Sequence, residues 1–144
     1  MRGKLTKEKL DLLEEAGYSK KAIELYESKV NIGVMNSPHV VFTYTGTCGD
    51  VIKLYLKIDE NSIIEDTKFQ CLGCPGAALS ASAITKIAKG KTLEEAKKIR
   101  DDYLLKELEG LPVPKLDCPK LAVQTLRKAI TKYNEKIHHE NDSP

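Results

Sequence analysis

The 144-residue sequence predicts an α+β domain: a three-stranded antiparallel sheet with helices packed on it, plus an extra helix at the N-terminus. Three observations carry this expectation. Apolar residues recur at helical spacing before about residue 31 and again from Pro75 onward. Between these stretches lie three short runs rich in β-branched and aromatic residues, the second of them with one wholly apolar face and two lysines on the other. The three runs are consecutive and joined by short turns, which makes an antiparallel meander, and the later helices are grouped after it rather than interleaved.

Taken in order, Thr6 caps a first helix carrying Leu10, Leu13 and Ala16 and stopped by Gly17. Ser19 caps a second, with Ala22, Ile23, Leu25 and Tyr26 on or near one face and a stop near Asn31–Gly33. Asn36-Ser37-Pro38 is a turn. Val40–Thr45 is the first strand, and Thr45–Asp50 the turn after it. Val51–Ile58 is the second strand, with Ile52, Leu54, Leu56 and Ile58 on one face and Lys53 and Lys57 on the other. Asp59-Glu60-Asn61 turns the chain into a third strand, Ile63–Gln70. Pro75–Lys89 is an Ala- and Ser-rich helix, ended at Gly90. Thr92 with Glu95 forms a capping box for a short helix to about Arg100. A further short turn starts at Asp101 or Asp102 and ends at Gly110, followed by a proline-containing loop, Leu111–Leu116. Pro119–Ile137 is a long amphipathic helix with Leu121, Ala122, Leu126, Ala129, Ile130 and Tyr133 inward. The organisation expected is a helical extension over 1–17, one domain over 18–137 and a flexible tail over 138–144.

Composition narrows the function. Forty-one per cent of residues are hydrophobic, enough for a core, and 23 basic against 21 acidic residues leave a formal net charge of +2. There is no global basic field of the kind that binds nucleic acid. No apolar run approaches the roughly 18 residues of a membrane span, and no apolar signal segment follows the polar start. The expectation is a cytoplasmic chain without a membrane or nucleic-acid partner.

The four cysteines carry the chemistry. A reducing compartment disfavours a disulfide framework and favours metal or thiol chemistry. Cys48 falls in the turn between the first two strands, Cys71 at the end of the third, and Cys74 and Cys118 each directly precede a proline. Proline suits the first helical position, so Cys74 and Cys118 read as helix caps. A helix N-terminus carries roughly +0.5 of a charge and biases a thiol toward thiolate, the form that binds metal and attacks sulfur. No cysteine reads as part of an apolar stripe. Three other readings compete: small buried residues, a structural zinc site, which fits poorly because only Cys71 and Cys74 form a close pair, and a redox pair, Cys71-Leu72-Gly73-Cys74, which lacks a βαβ context.

At these residues the chain resembles the IscU/NifU-type iron–sulfur cluster assembly scaffolds, from about Tyr18 to Tyr133. Tyr18–Tyr26 is similar to the family's opening helix and Asn31-Ile32-Gly33 to the segment after it. Cys48-Gly49-Asp50-Val51 matches the Cys-Gly-Asp motif, and Ile63–Asp66 with Lys68-Phe69 the strand before the second site. Gly73-Cys74 matches the second cysteine, Gly90–Ala96 the next helix start, and Cys118 the third cysteine. The spacing leaves no room for the insertion of zinc-dependent SufU-type sulfur carriers.

The resemblance implies an IscU/SufE-like fold and a scaffold or carrier rather than an enzyme. It implies that a cysteine desulfurase or other sulfur donor passes persulfide sulfur to the chain, with Cys118 the acceptor candidate. Iron and electrons arrive separately, the latter from a donor such as a ferredoxin. A [2Fe-2S] cluster forms on Cys48, Cys74 and Cys118, with Asp50 as an oxygen ligand, and passes to apo iron–sulfur proteins. A carboxylate holds iron less tightly than a thiolate, which suits a site that releases its cargo; the other reading of Asp50 is a turn residue. Cys71 is not a family cysteine. If it points inward to the metal, four thiolates could hold a [2Fe-2S] or a [4Fe-4S] cluster, and the same thiolates could hold zinc. Asp117 stands where the family has His and is either a ligand or a cap. Leu111-Pro112-Val113-Pro114-Lys115 departs from the family's chaperone-recognition loop and puts an Hsp70-type partner in doubt. His138 and His139 read as solvated tail residues. A homo-oligomer is left open. The alternatives are a thiol–disulfide or sulfur-carrier protein using Cys71 and Cys74, and a zinc-binding protein.

Overall fold

The computed structural model describes residues 6–47, 49–112 and 117–142, with side chains as far as Ile137. Among these residues the chain forms a three-stranded antiparallel sheet with helices, in the expected order. Thr6 and Ser19 cap the first two helices, α1 (Lys7–Glu15) and α2 (Lys20–Ser28), each hydroxyl accepting from the backbone N–H three residues on. α2 stops at Ser28 because Lys29 turns left-handed, with φ 52°, a little before the predicted stop.

The strands are β1 (Val40–Thr45), β2 (Val51–Ile58) and β3 (Ile64–Leu72), in spatial order β1-β2-β3. Val40 pairs with Leu56, Ile52 with Cys71 and Leu54 with Phe69. These pairs set the register, which puts Ile52, Leu54, Leu56 and Phe69 on the core face. β3 runs two residues beyond the predicted Gln70. Its alternation therefore continues from Thr67 and Phe69 to Cys71 on the core face. The expectation that no cysteine joins an apolar stripe is corrected here: Cys71 packs against the core.

α3 (Pro75–Ala88) lies on β3, and α6 (Cys118–Asp142) lies on β1 and β2; the two helices pack against each other. The buried surface of α3 is made of Gly76, Ala77, Ala81, Ala83, Ala88 and small hydroxyl residues, with Leu79 and Ile84 as the large anchors. Small side chains allow close approach, and the hydroxyls stay paired: Ser80 donates to Gly76 O, Thr85 to Ala81 O, and Thr67 of β3 to Thr85 O. α2 leans on α3, and α1 touches α2. α4 (Leu93–Lys97) has the Thr92–Glu95 capping box in both directions, and with α5 (Asp101–Glu107) it packs on α6.

α6 departs from expectation at both ends. It starts at Cys118, one residue early, because the Asp117 carbonyl accepts the Leu121 N–H and makes Asp117 the cap. It runs on to Asp142, where the sequence reading placed a loose tail from His138. The side chains of His138 and His139, the segment 113–116 within the expected chaperone-recognition loop, residues 1–5 of the extension and 143–144 of the tail lie outside the described residues.

Candidate metal centre

The β1–β2 turn and the N-termini of α3 and α6 meet at one end of the sheet. The turn is closed by two backbone bonds, Gly46 N–H to Asp50 O at 2.8 Å and Gly49 N–H to Gly46 O at 3.0 Å. Gly49 has φ +90°, which a residue with a side chain adopts at a cost. Gly46 sits against Leu121, where a Cβ would lie 3.1 Å from the leucine methyl, so the turn rests on the first turn of α6.

Cys74 caps α3 with extended backbone, φ −77° and ψ 166°, and Pro75 follows at the first helical position. Its carbonyl accepts the N–H groups of Ala77 and Ala78. Its thiol makes no capping bond. It turns instead to Asp50 Oδ2, to which it donates at 3.4 Å, and to the Cys118 sulfur at 3.8 Å. Cys118 is buried at the start of α6.

The ligand atoms of Asp50, Cys74 and Cys118 all lie within 4.8 Å of one another, a separation one metal ion or small cluster can bridge. They line a cleft of about 440 Å³ with Tyr44, Thr47, Lys120 and Gln124. The N-terminal ends of two helices, 14 and 25 residues long, face this group, and such ends carry partial positive charge.

The other sequence candidates are placed as follows. Cys48 lies outside the described residues; Thr47 and Asp50, on either side of it in the chain, both line the cleft. Cys71 is not in the group of ligand atoms. It is half-buried, and burial, then the negative charges of Asp50 and Cys74, push its thiol up to about 11. Asp117 lies on the cleft wall with its side chain 89% exposed, 3.8 Å from Lys120 Nζ. Lys120 and Gln124 were not singled out from sequence. Their position one turn apart on the helix that Cys118 begins is the signal that finds them.

The chain from residue 17 to 140 matches the family model for the NifU-like N-terminal domain. The chain belongs to the NifU-like N-terminal domain family. Among relatives of this NifU-like chain, the iron–sulfur cluster assembly scaffold protein IscU of Haemophilus influenzae is 42% identical over 123 residues, covering 83% of this chain and 97% of the relative. IscU of Rickettsia prowazekii is 39% identical over 130 residues, 88% of this chain and 98% of the relative. The mitochondrial iron sulfur cluster assembly protein 1 of Yarrowia lipolytica is 38% identical over 133 residues, 90% and 73%. In fold, the NifU-like domain superposes on the N-terminal NifU-like protein of Brucella abortus with a TM-score of 0.70 at 20% identity, covering 86% of this chain and 99% of that one. It also superposes on the SUF-system scaffold of Fervidobacterium islandicum with a TM-score of 0.66 at 22% identity, covering 78% and 96%. The α+β fold expected from sequence is therefore the fold of these structures. No helix among the described residues is long and apolar enough to cross a membrane.

Proposed function

We propose that this NifU-like chain is a scaffold on which an iron–sulfur cluster is assembled and from which it passes to apo-proteins. The observation that carries the reading is the convergence of Cys74, Cys118 and Asp50 at two helix N-termini in an open cleft. The names of the relatives agree with it. Cys48 supplies the third thiolate from the β1–β2 turn, and Asp50 the oxygen ligand. Three thiolates and one carboxylate suit a [2Fe-2S] cluster as cargo, with zinc able to take the same donors. Cys71 stands behind this set, protonated.

Cys118 is the sulfur acceptor. Its thiolate attacks the terminal sulfur of a donor cysteine persulfide; the donor S–S bond breaks and the donor cysteine leaves as thiolate. Two electrons from a ferredoxin-type donor then reduce the new Cys118 persulfide to thiolate and sulfide. No small substrate turns over, so the chain acts as a carrier and not as an enzyme. Its place is the cytoplasm, and its partners are a cysteine desulfurase and apo iron–sulfur proteins.

Anaerobic reconstitution with iron and sulfide, followed by Mössbauer spectroscopy and transfer to an apo-ferredoxin, tests the reading. A brown protein with a [2Fe-2S] spectrum that activates the ferredoxin is expected. A protein that stays colourless after zinc is removed and iron and sulfide are supplied anaerobically overturns it.

A further inference from the structure

Between Leu72 and Cys74 the chain has Gly73, and its backbone gives no reason for a glycine. Gly73 is not among the residues with positive φ, in contrast to Gly49, Gly90 and Gly110. The reason is space. A Cβ built on Gly73 would lie 2.5 Å from Asp50 Oδ1, 2.6 Å from Asp50 Cγ and 3.0 Å from Asp50 Cβ. The Asp50 carboxylate therefore occupies the volume that any side chain at 73 would fill.

We propose that Gly73 is a positioning residue: its missing side chain is the seat that holds the Asp50 carboxylate against the thiols of Cys74 and Cys118. The inference rests on the reading of these three residues as a metal-binding group. The Asp50 backbone cannot retreat freely, because its carbonyl closes the β1–β2 turn on Gly46 N–H at 2.8 Å. The backbone at 73 is bounded by the last pair of β3, Val51 with Leu72, and by the cap of α3 at Cys74. Between two anchored backbones, rotation of Asp50 about its Cα–Cβ bond relieves the contacts with Oδ1 and Cγ and swings the carboxylate off the Cys74 sulfur, while the 3.0 Å contact with Asp50 Cβ is met by a small shift of the turn. Alanine at 73 thus removes the carboxylate from the site while leaving it in the protein. It also adds no left-handed backbone strain, since Gly73 is not among the residues with positive φ.

The test is a double-mutant cycle of Gly73→Ala and Asp50→Ala in the zinc-free, reduced protein, titrated with Co²⁺ under argon. Gly73→Ala is expected to shift the cobalt ligand-field bands and weaken binding as Asp50→Ala does, and the double variant to match Asp50→Ala alone. Wild-type cobalt binding in Gly73→Ala overturns the proposal. So does a further loss when Gly73→Ala is added to Asp50→Ala, which would place the effect in the α3 cap instead. The seating is also read without metal, from the ¹³C shift of the Asp50 carboxyl in the apo-protein. That shift is expected to move in Gly73→Ala, and an unmoved one overturns the proposal. A wild-type protein that binds no cobalt sinks the metal reading instead, leaving the carboxyl shift to decide the seat.

Discussion

Cys71 and Cys74 stand three residues apart and have opposite surroundings. Cys71 is still in β3, opposite Ile52, and the strand's alternation turns it to the core face behind Phe69. Cys74 is off the strand, capping α3, with its sulfur 3.4 Å from Asp50 and 3.8 Å from Cys118. A Cys-x-x-Cys spacing chelates when a turn presents both thiols to one point. Here the first cysteine obeys the sheet and the second obeys the helix. The difference teaches that spacing alone does not make a chelate; the elements that carry the two residues decide it.

The largest expected effect breaks the Cys74 side of this contrast. Cys74→Ser and Cys118→Ser each remove a sulfur donor from the convergent group, and Cys48→Ser removes the one proposed from the turn. Loss of an outer-shell partner alone costs roughly 10–100-fold in metal affinity, so each variant should lose at least that. Iron and sulfide counts after reconstitution check it, and full occupancy in any variant removes that residue from the ligand set.

The next effect separates the two thiols by reactivity. With the Cys71 thiol at about 11 against an ordinary 9.0, its thiolate fraction at pH 8 is about 100-fold below that of an ordinary cysteine. Alkylation by iodoacetamide at pH 8, followed by mass spectrometry of each site, should label Cys71 at least that much more slowly in the folded than in the urea-unfolded protein. The linkage has a sign. The folded chain holds the Cys71 proton more tightly than the unfolded chain, so the contribution to stability is full below about pH 9 and is lost as pH rises through about 11. Cys71→Ala should flatten that alkaline fall in urea midpoint; an unchanged profile refutes the burial of this thiol.

A smaller effect is expected at Asp50. As the oxygen ligand proposed above, its carboxylate would be the harder donor of the set and the first to yield to an incoming acceptor. Asp50→Ala takes that exit away, so cluster transfer to an apo-ferredoxin should slow several-fold. Stability should change by no more than about 0.5 kcal/mol. Unchanged transfer kinetics would leave Asp50 as a turn residue only.

Much of this arrangement was legible in the sequence. β1 and β2 were readable to the residue because β-branched alternation stops at turn residues on both sides. The caps Thr6, Ser19 and Thr92 were readable because a hydroxyl has one local use before a helix. Cys74 was placed by Pro75. What was not legible depends on contacts between distant segments. The orientation of Cys71 hung on where β3 ends, which pairing of Val51 with Leu72 sets and local composition does not. The space at Gly73 exists only because the β1–β2 turn is folded against it. The length of α6 was underread because its polar final stretch reads as tail although the helical bonding continues.

The smallest expected effect is the one that sharpens the contrast most. Cys71→Ser changes a single atom, and serine is small enough for the same place beside Ile52 and Phe69. If β3 alternation holds Cys71 away from the convergent group, the visible spectrum, iron and sulfide counts and cluster lifetime should all match the parent protein. The only expected cost is that of placing a hydroxyl where a weakly polar thiol lay, about 1–3 kcal/mol if it finds no partner and less at this half-buried position. That cost would appear in the urea midpoint and not in the cluster. The opposite outcome is equally readable. A shifted spectrum with a shortened lifetime would mean that Cys71 reaches the metal once it binds. The end of β3 would then have to open by at least the pair formed by Val51 and Leu72, since that pairing lies between Cys71 and the cap at Cys74. Hydrogen exchange at the Leu72 amide, slow in the parent and fast in the loaded protein, would be its signature.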